Sequence, residues 1–228
     1  MHLMTFNIDW SEIDDVLLDM DGTLLDLHFD ATFWLNNIHF IVSSITKESM
    51  ESIRERFLEE LKSKEGTLSW YCTDYWSDFF KCDVIEAKKH LRHLIRFRPH
   101  ALDFLKKLQS TRLRTLIVTN AHRDVINLKL DVVPLKTLVD GIVSSHDFGV
   151  AKEHPDFWTK LFQFLRIDPR RSIFIDDSPK VLDAANNAGI AQVIEIRHPN
   201  LSQPPRTLWH TGINDFDTIL PSLNIEKL

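Results

Sequence analysis

The sequence predicts an α/β fold, a Rossmann-like parallel sheet core carrying an inserted α-helical cap. Three observations predict it. Beyond residue 99, short apolar runs alternate with amphipathic helical segments. One further run, residues 16–19 in VLLDMDGTLLDL, stands by itself near the start. Between them, from about residue 30 to residue 97, the spacing is helical throughout. Strands alternating with helices imply right-handed crossovers and a sheet covered on both faces. The early strand therefore belongs with the later ones, and the helical stretch is an insertion after it. The expected division is 1–26 plus 99–228 for the core and 27–98 for the cap.

Each element has its own justification. The first strand is a continuous apolar run, as a strand buried on both faces requires. In FWLNNIHFIVSSI, residues Phe33, Trp34, Ile38, Ile41 and Ile45 recur at three- and four-residue spacing. MESIRERFLEEL repeats the pattern with Met50, Ile53, Phe57, Leu58 and Leu61. Gly66 interrupts, and LSWYCTDYWSDFF and VIEAKKHLRHLIRF predict a third and a fourth cap helix. After Pro99 come helix ALDFLKKLQS, strand RTLIVTN, a further helix, and strand GIVSS. Helix DFWTKLFQFL, strand SIFIDD, helix KVLDAANNAG and strand IAQVIEI complete the series.

Composition narrows the function. The 228 residues are 43% hydrophobic and 26% charged, and the formal net charge is −6. Such a chain buries a core without staples. The acidic balance and the lack of a basic stripe argue against nucleic acid as a partner. Two cysteines, Cys72 and Cys82, make no disulfide framework. The start, MHLMTFNIDW, lacks a signal-peptide pattern, and no run of 18 apolar residues predicts a membrane span. The expectation is a cytoplasmic protein acting on a small molecule, its oligomeric state open.

Polar residues sit where the strands end. The first strand ends in Asp19 and Asp21, the second in Thr119 and Asn120, and the IFIDD strand in Asp176 and Asp177; Lys152 lies just past GIVSS. Parallel strands put all these ends on one edge, where open α/β sheets bind ligands. Clustered carboxylates call for a hard divalent cation with oxygen ligands, and Mg²⁺ fits best. A lysine and a hydroxyl beside it suit a phosphoryl group.

Asp19-Met20-Asp21-Gly22-Thr23, Thr119-Asn120, Lys152 and Asp176-Asp177 together resemble the four signature motifs of the haloacid dehalogenase (HAD) superfamily, in the right order. The resemblance implies a HAD-like fold with a cap of the C1 type, between the first two motifs. It implies a Mg²⁺-dependent phosphomonoester hydrolase working through an aspartyl-phosphate. Asp19 would be the nucleophile and Asp21 the general acid and base. Asp19, the Asp21 backbone carbonyl and Asp177 would hold Mg²⁺, with Asp176 as a supporting contact. Thr119, Asn120 and Lys152 would hold the phosphate. Two departures stand out: Glu153 and His154 separate Lys152 from Pro155, and Asp176 stands where many relatives have glycine.

Asp21 argues against a dehalogenase, because those relatives lack an acid two residues after the first. A phosphosugar phosphatase or mutase remains an alternative, and an inactive binding scaffold is an alternative of another class. DMDGTLLDLHFD, WYCTDYW, TNAH, FGVAKE and FIDDS extend the likeness to bacterial GMP/IMP-type purine 5′-nucleotidases. On a single third cap helix, Trp70, Tyr71 and Asp74 fall within one sector of about 100°. There an aromatic could stack on a purine, and Asp74 could accept the N1–H of guanine or hypoxanthine. Tyr75 and Trp76 are assigned to the core stripe and Cys72 to packing. His122 and His146 are assigned to loop hydrogen bonds. His90, Arg92, His93, Arg96 and Arg98 are assigned to a solvated helix face.

Overall fold

The computed structural model describes residues 8–223. Its sheet has six strands, all parallel: β1 (Asp15–Leu18), β2 (Arg114–Thr119), β3 (Gly141–Ser144), β4 (Ser172–Asp176), β5 (Gln192–Ile196) and β6 (Gly212–Ile213). The spatial order is β3-β2-β1-β4-β5-β6. Strand order therefore reverses between β1 and β4, and the crevice beyond their carboxyl ends is the expected ligand position. Leu18 lies level with Ile117 of β2 and Ile175 of β4. That register puts Asp19 level with Asp176 and with Val118, the residue before Thr119. The two-residue β6 carries too little pattern for the sequence to reveal it.

Between β1 and β2 lie the inserted helices. α1 (His28–Thr32), a π-helical turn (Phe33–Asn37) and α2 (Ile38–Thr46) run on as one helix, which Lys47 ends at φ +66°. α3 (Met50–Lys64) starts at Ser49, whose hydroxyl accepts the Ser52 N–H at 3.2 Å. α4 (Leu68–Tyr71), α5 (Thr73–Phe80) and α6 (Val84–Lys89) follow. An aromatic cluster knits them together. The Trp34 and Phe57 rings stack at 6.0 Å, and Phe57 meets Trp76 edge-on at 5.3 Å. Such pairs add about 0.5–1.5 kcal/mol each beyond their burial.

Two expectations are corrected here. The third cap helix is two, because Cys72 is extended (φ −84°, ψ 113°) between α4 and α5. The fourth stops at Lys89, followed only by a 3₁₀ turn at Arg92–Leu94. Arg96 and Arg98 are therefore off the helix. Arg96 donates to Asp26 Oδ2 at 2.7 Å. Arg98 is buried and donates to three backbone carbonyls, those of Thr23, His198 and Asn214. It thus ties the loop after β1 to the C-terminal segments.

The remaining helices cover the sheet: α7 (Ala101–Gln109), α8 (Arg123–Leu130), α9 (Pro155–Leu165) and α10 (Pro179–Asn187). β1 shows why its sequence is apolar without alternation. Val16 and Leu18 join the core shared with α7 and the insert, while Leu17 packs with Phe157 and Trp158 of α9. Among the described residues, no helix is long and apolar enough to cross a membrane.

Candidate active site

The strand ends gather around a cavity of about 320 Å³. Asp19, Asp21, Thr119, Asn120, Lys152, Asp176 and Asp177 all line it, so the sequence-predicted core residues converge. Trp34, Trp70 and Tyr71 of the insert line the same cavity.

Lys152 organises the floor. Its buried ammonium donates to Asp19 Oδ1 at 2.6 Å, to Asp176 Oδ2 at 2.7 Å and to the Val118 carbonyl at 2.9 Å. Burial opposes its charge, but Asp176 and Asp19 outweigh burial and hold its pKa above the ordinary lysine value. Burial lifts Asp19 to about 6 against the pull of Lys152. Burial, then Asp176 and Asp19, push Asp177 well above the usual carboxylate range.

Asp19, Asp176 and Asp177 each bring a carboxylate oxygen within 4.8 Å of the others. Three acids thus face one lysine. Arg206 approaches only from the rim, 3.5 Å from Asp177 Oδ2. Crowded, desolvated carboxylates need more positive charge than that. An all-oxygen donor set with about two charges uncompensated fits Mg²⁺ in chemistry and in sign. Gly22 makes the crowding feasible: its φ is +89°, and a Cβ there would sit 2.7 Å from the Asp177 carboxyl carbon.

Beside this cluster runs a second, balanced one that the sequence reading missed. Lys129 of α8 donates to Asp21 Oδ1 at 2.5 Å and to Asp30 Oδ2 at 2.6 Å. Lys88 of α6 donates to Asp30 Oδ1 at 2.6 Å. Both lysines are 1% exposed. Here two acids meet two lysines. Burial still lifts Asp21 to about 6, with Lys129 opposing and Asp30 and Asp19 assisting. Asp30 goes the other way, because Lys129 and Lys88 outweigh its burial. A signal for these lysines existed. Lys129 follows Ile126 by three residues, and Lys88 follows Val84 by four, so each falls on an apolar helix stripe.

The other expected residues divide. Thr119 accepts the Ala121 N–H at 3.1 Å, which leaves its hydroxyl hydrogen free toward the cavity. Asn120 lines the cavity, but its amide is engaged at both ends: Oδ1 accepts the Lys152 N–H at 2.9 Å, and Nδ2 donates to Glu153 Oε2 at 3.0 Å. Its side chain thus positions Lys152, and the second Nδ2 hydrogen is not used by these bonds. Asp176 is equally committed, since its other oxygen accepts the Ser178 N–H at 2.7 Å.

Glu153, unexplained by sequence, also takes the Tyr71 hydroxyl at 2.5 Å and so joins the insert to the core. His154 starts α9, its ring nitrogen accepting the Asp156 N–H at 3.2 Å. Asp74 is the clearest correction. The break at Cys72 turns it away from Trp70 and Tyr71, and its side chain is 79% exposed, 3.7 Å from His122 and outside the cavity lining.

Known proteins resemble this arrangement. A family model described as haloacid dehalogenase-like hydrolase matches residues 13–189. The chain is 32% identical over 221 residues to a GMP/IMP nucleotidase of Escherichia coli (strain K12), covering 96% of this chain and 100% of that one. It is 22% identical over 193 residues to a phosphorylated carbohydrates phosphatase of Thermotoga maritima, covering 82% of this chain and 86% of that one. The crystal structure of a HAD phosphatase from Thermococcus onnurineus superimposes with a TM-score of 0.79 at 22% identity, over 95% of this chain and 100% of that one.

Proposed function

We infer the reaction from one premise: the chain belongs to the haloacid dehalogenase-like hydrolase family, and within it to the phosphatases. The substrate we propose is a purine nucleoside 5′-monophosphate, GMP or IMP, and the cofactor Mg²⁺. The observation that carries this reading is the set of strand-end acids on Lys152, lying under an aromatic-walled cavity. Full-length similarity to a GMP/IMP nucleotidase supports the choice of nucleotide.

In this reading the Asp19 carboxylate attacks phosphorus and becomes an aspartyl-phosphate. The Thr119 hydroxyl and the Lys152 ammonium hold phosphoryl oxygens where negative charge gathers. Asp21 gives its proton to the leaving alcohol and later takes one from the attacking water. Lys129 fixes the Asp21 carboxyl at the position this transfer needs. Mg²⁺, held by Asp19, Asp177 and the Asp21 carbonyl, would supply the positive charge that lets two anions approach. Trp70 and Trp34 offer faces on which a purine can stack.

A phosphate-release screen with Mg²⁺ over GMP, IMP, AMP, pyrimidine nucleotides and sugar phosphates tests the reading. The highest kcat/KM is expected on GMP and IMP. A clear preference for sugar phosphates would overturn the nucleotidase assignment and favour the phosphosugar alternative. No release from any member would overturn both.

A further inference from the structure

We propose that Cys72, His122 and His146 form a second metal site, separate from the carboxylate cluster and suited to Zn²⁺. One ligand atom from each of the three lies within 4.8 Å of the other two. Cys72 comes from the break between α4 and α5, His122 from just after β2, and His146 from the turn after β3. Residues 24 to 74 apart in sequence thus converge on one point, at the junction of insert and core.

The chemistry of the set is specific. A thiolate and two imidazoles are borderline-soft donors, which select Zn²⁺ over Mg²⁺. His146 Nε2 is buried and has no hydrogen-bond partner. The His146 ring has its backbone contact at the Asn120 carbonyl. A histidine held through one nitrogen, with the other left unpartnered, is oriented as metal-bound histidines are. His122 is braced in the same way. Its Nδ1 lies 2.8 Å from Thr73 Oγ1 and 3.4 Å from the Asp124 amide nitrogen; with the ring proton on Nδ1 and donated to Thr73, Nε2 takes the ion.

Tetrahedral Zn²⁺ sets such ligand atoms roughly 3.3–3.6 Å apart, so modest side-chain rotation closes the site. Asp74 Oδ2, 3.7 Å from His122 Nε2, is placed to reach the fourth position, as is water. An ion here would staple the insert to the core immediately behind the His122 and Thr73 wall of the cleft. Holding the cleft closed is its expected consequence.

Cobalt tests the site without reference to turnover. Co²⁺ bound through a thiolate gives a sulfur-to-metal charge-transfer absorption, and Co²⁺ on the carboxylate cluster does not. Titration of the reduced, full-length protein with Co²⁺ should produce the band at one equivalent. Zn²⁺ should bleach it and excess Mg²⁺ should not. Cys72→Ser should abolish the band, and Cys82→Ser should keep it. In saturating Mg²⁺, one equivalent of Zn²⁺ should raise the Tm of the wild type more than that of Cys72→Ser. Absence of the band in folded wild type, or its persistence in Cys72→Ser, would overturn the site whatever the substrate screen shows.

Discussion

Asp19 and Asp177 stand in the same cluster, and replacing each tests a different property of it. Asp19→Asn removes the oxygen that would bond to phosphorus, so turnover should fall by several orders of magnitude with circular dichroism unchanged. Burial and two neighbouring acids, Asp176 and Asp19, raise the pKa of Asp177 well above the usual carboxylate range. A carboxyl whose pKa is raised on folding destabilises the protein at neutral pH. Asp177→Asn should therefore raise the Tm of the metal-free protein while abolishing Mg²⁺-dependent turnover; a fall in Tm would contradict the charge excess. Lys129 is the reverse case. Lys129→Met leaves Asp21 and Asp30 facing each other in a buried pocket, and breaking such a pair costs about 3–5 kcal/mol. Urea unfolding should show that loss, and the double variant with Asp30→Asn should recover part of it. The seven strand-end residues were legible because the motif residues sit next to strands. Lys88, Lys129 and Asp30 were less so, since their partners are 58 to 108 residues away in sequence.

The elements explain why the cap was harder to read than the sheet. Strand positions follow from short apolar runs whose ends are fixed by polar residues. The WYCTDYW stretch has continuous helical spacing, and nothing in it announces that Cys72 leaves the helix. One extended residue rotates everything after it, which is how Asp74 left the cavity while Trp76 remained in the aromatic core. Asp74→Ala should accordingly leave the kcat/KM ratios among GMP, IMP and AMP unchanged in metal-chelated protein supplied only with Mg²⁺. Trp70→Ala should raise KM for nucleotides by about tenfold, since base–aromatic stacking is worth about 1–3 kcal/mol. Tyr71 carries the contact of α4 with Glu153 across the cleft. Tyr71→Phe should speed amide hydrogen exchange in α4 and α5; unchanged exchange there would show that the contact does not restrain the insert.

At the scale of the whole molecule, the strand order puts the switch between β1 and β4, and the acids from those two strands form the cluster that calls for a cation. The fold thus gathers like-charged groups where its crevice opens. Thorough chelation should abolish turnover, Mg²⁺ should restore it, and Mg²⁺ should raise Tm as any ligand of the native state does. The account's central claim is that Asp19 accepts the phosphoryl group. The most direct measurement is a crystal structure grown with Mg²⁺ and beryllium fluoride, a mimic of the phosphoryl group on a carboxylate. The account predicts beryllium bonded to the Asp19 carboxylate, its fluorines within reach of Thr119 and Lys152. Beryllium fluoride bound to another carboxylate, with Asp19 unmodified, would contradict it.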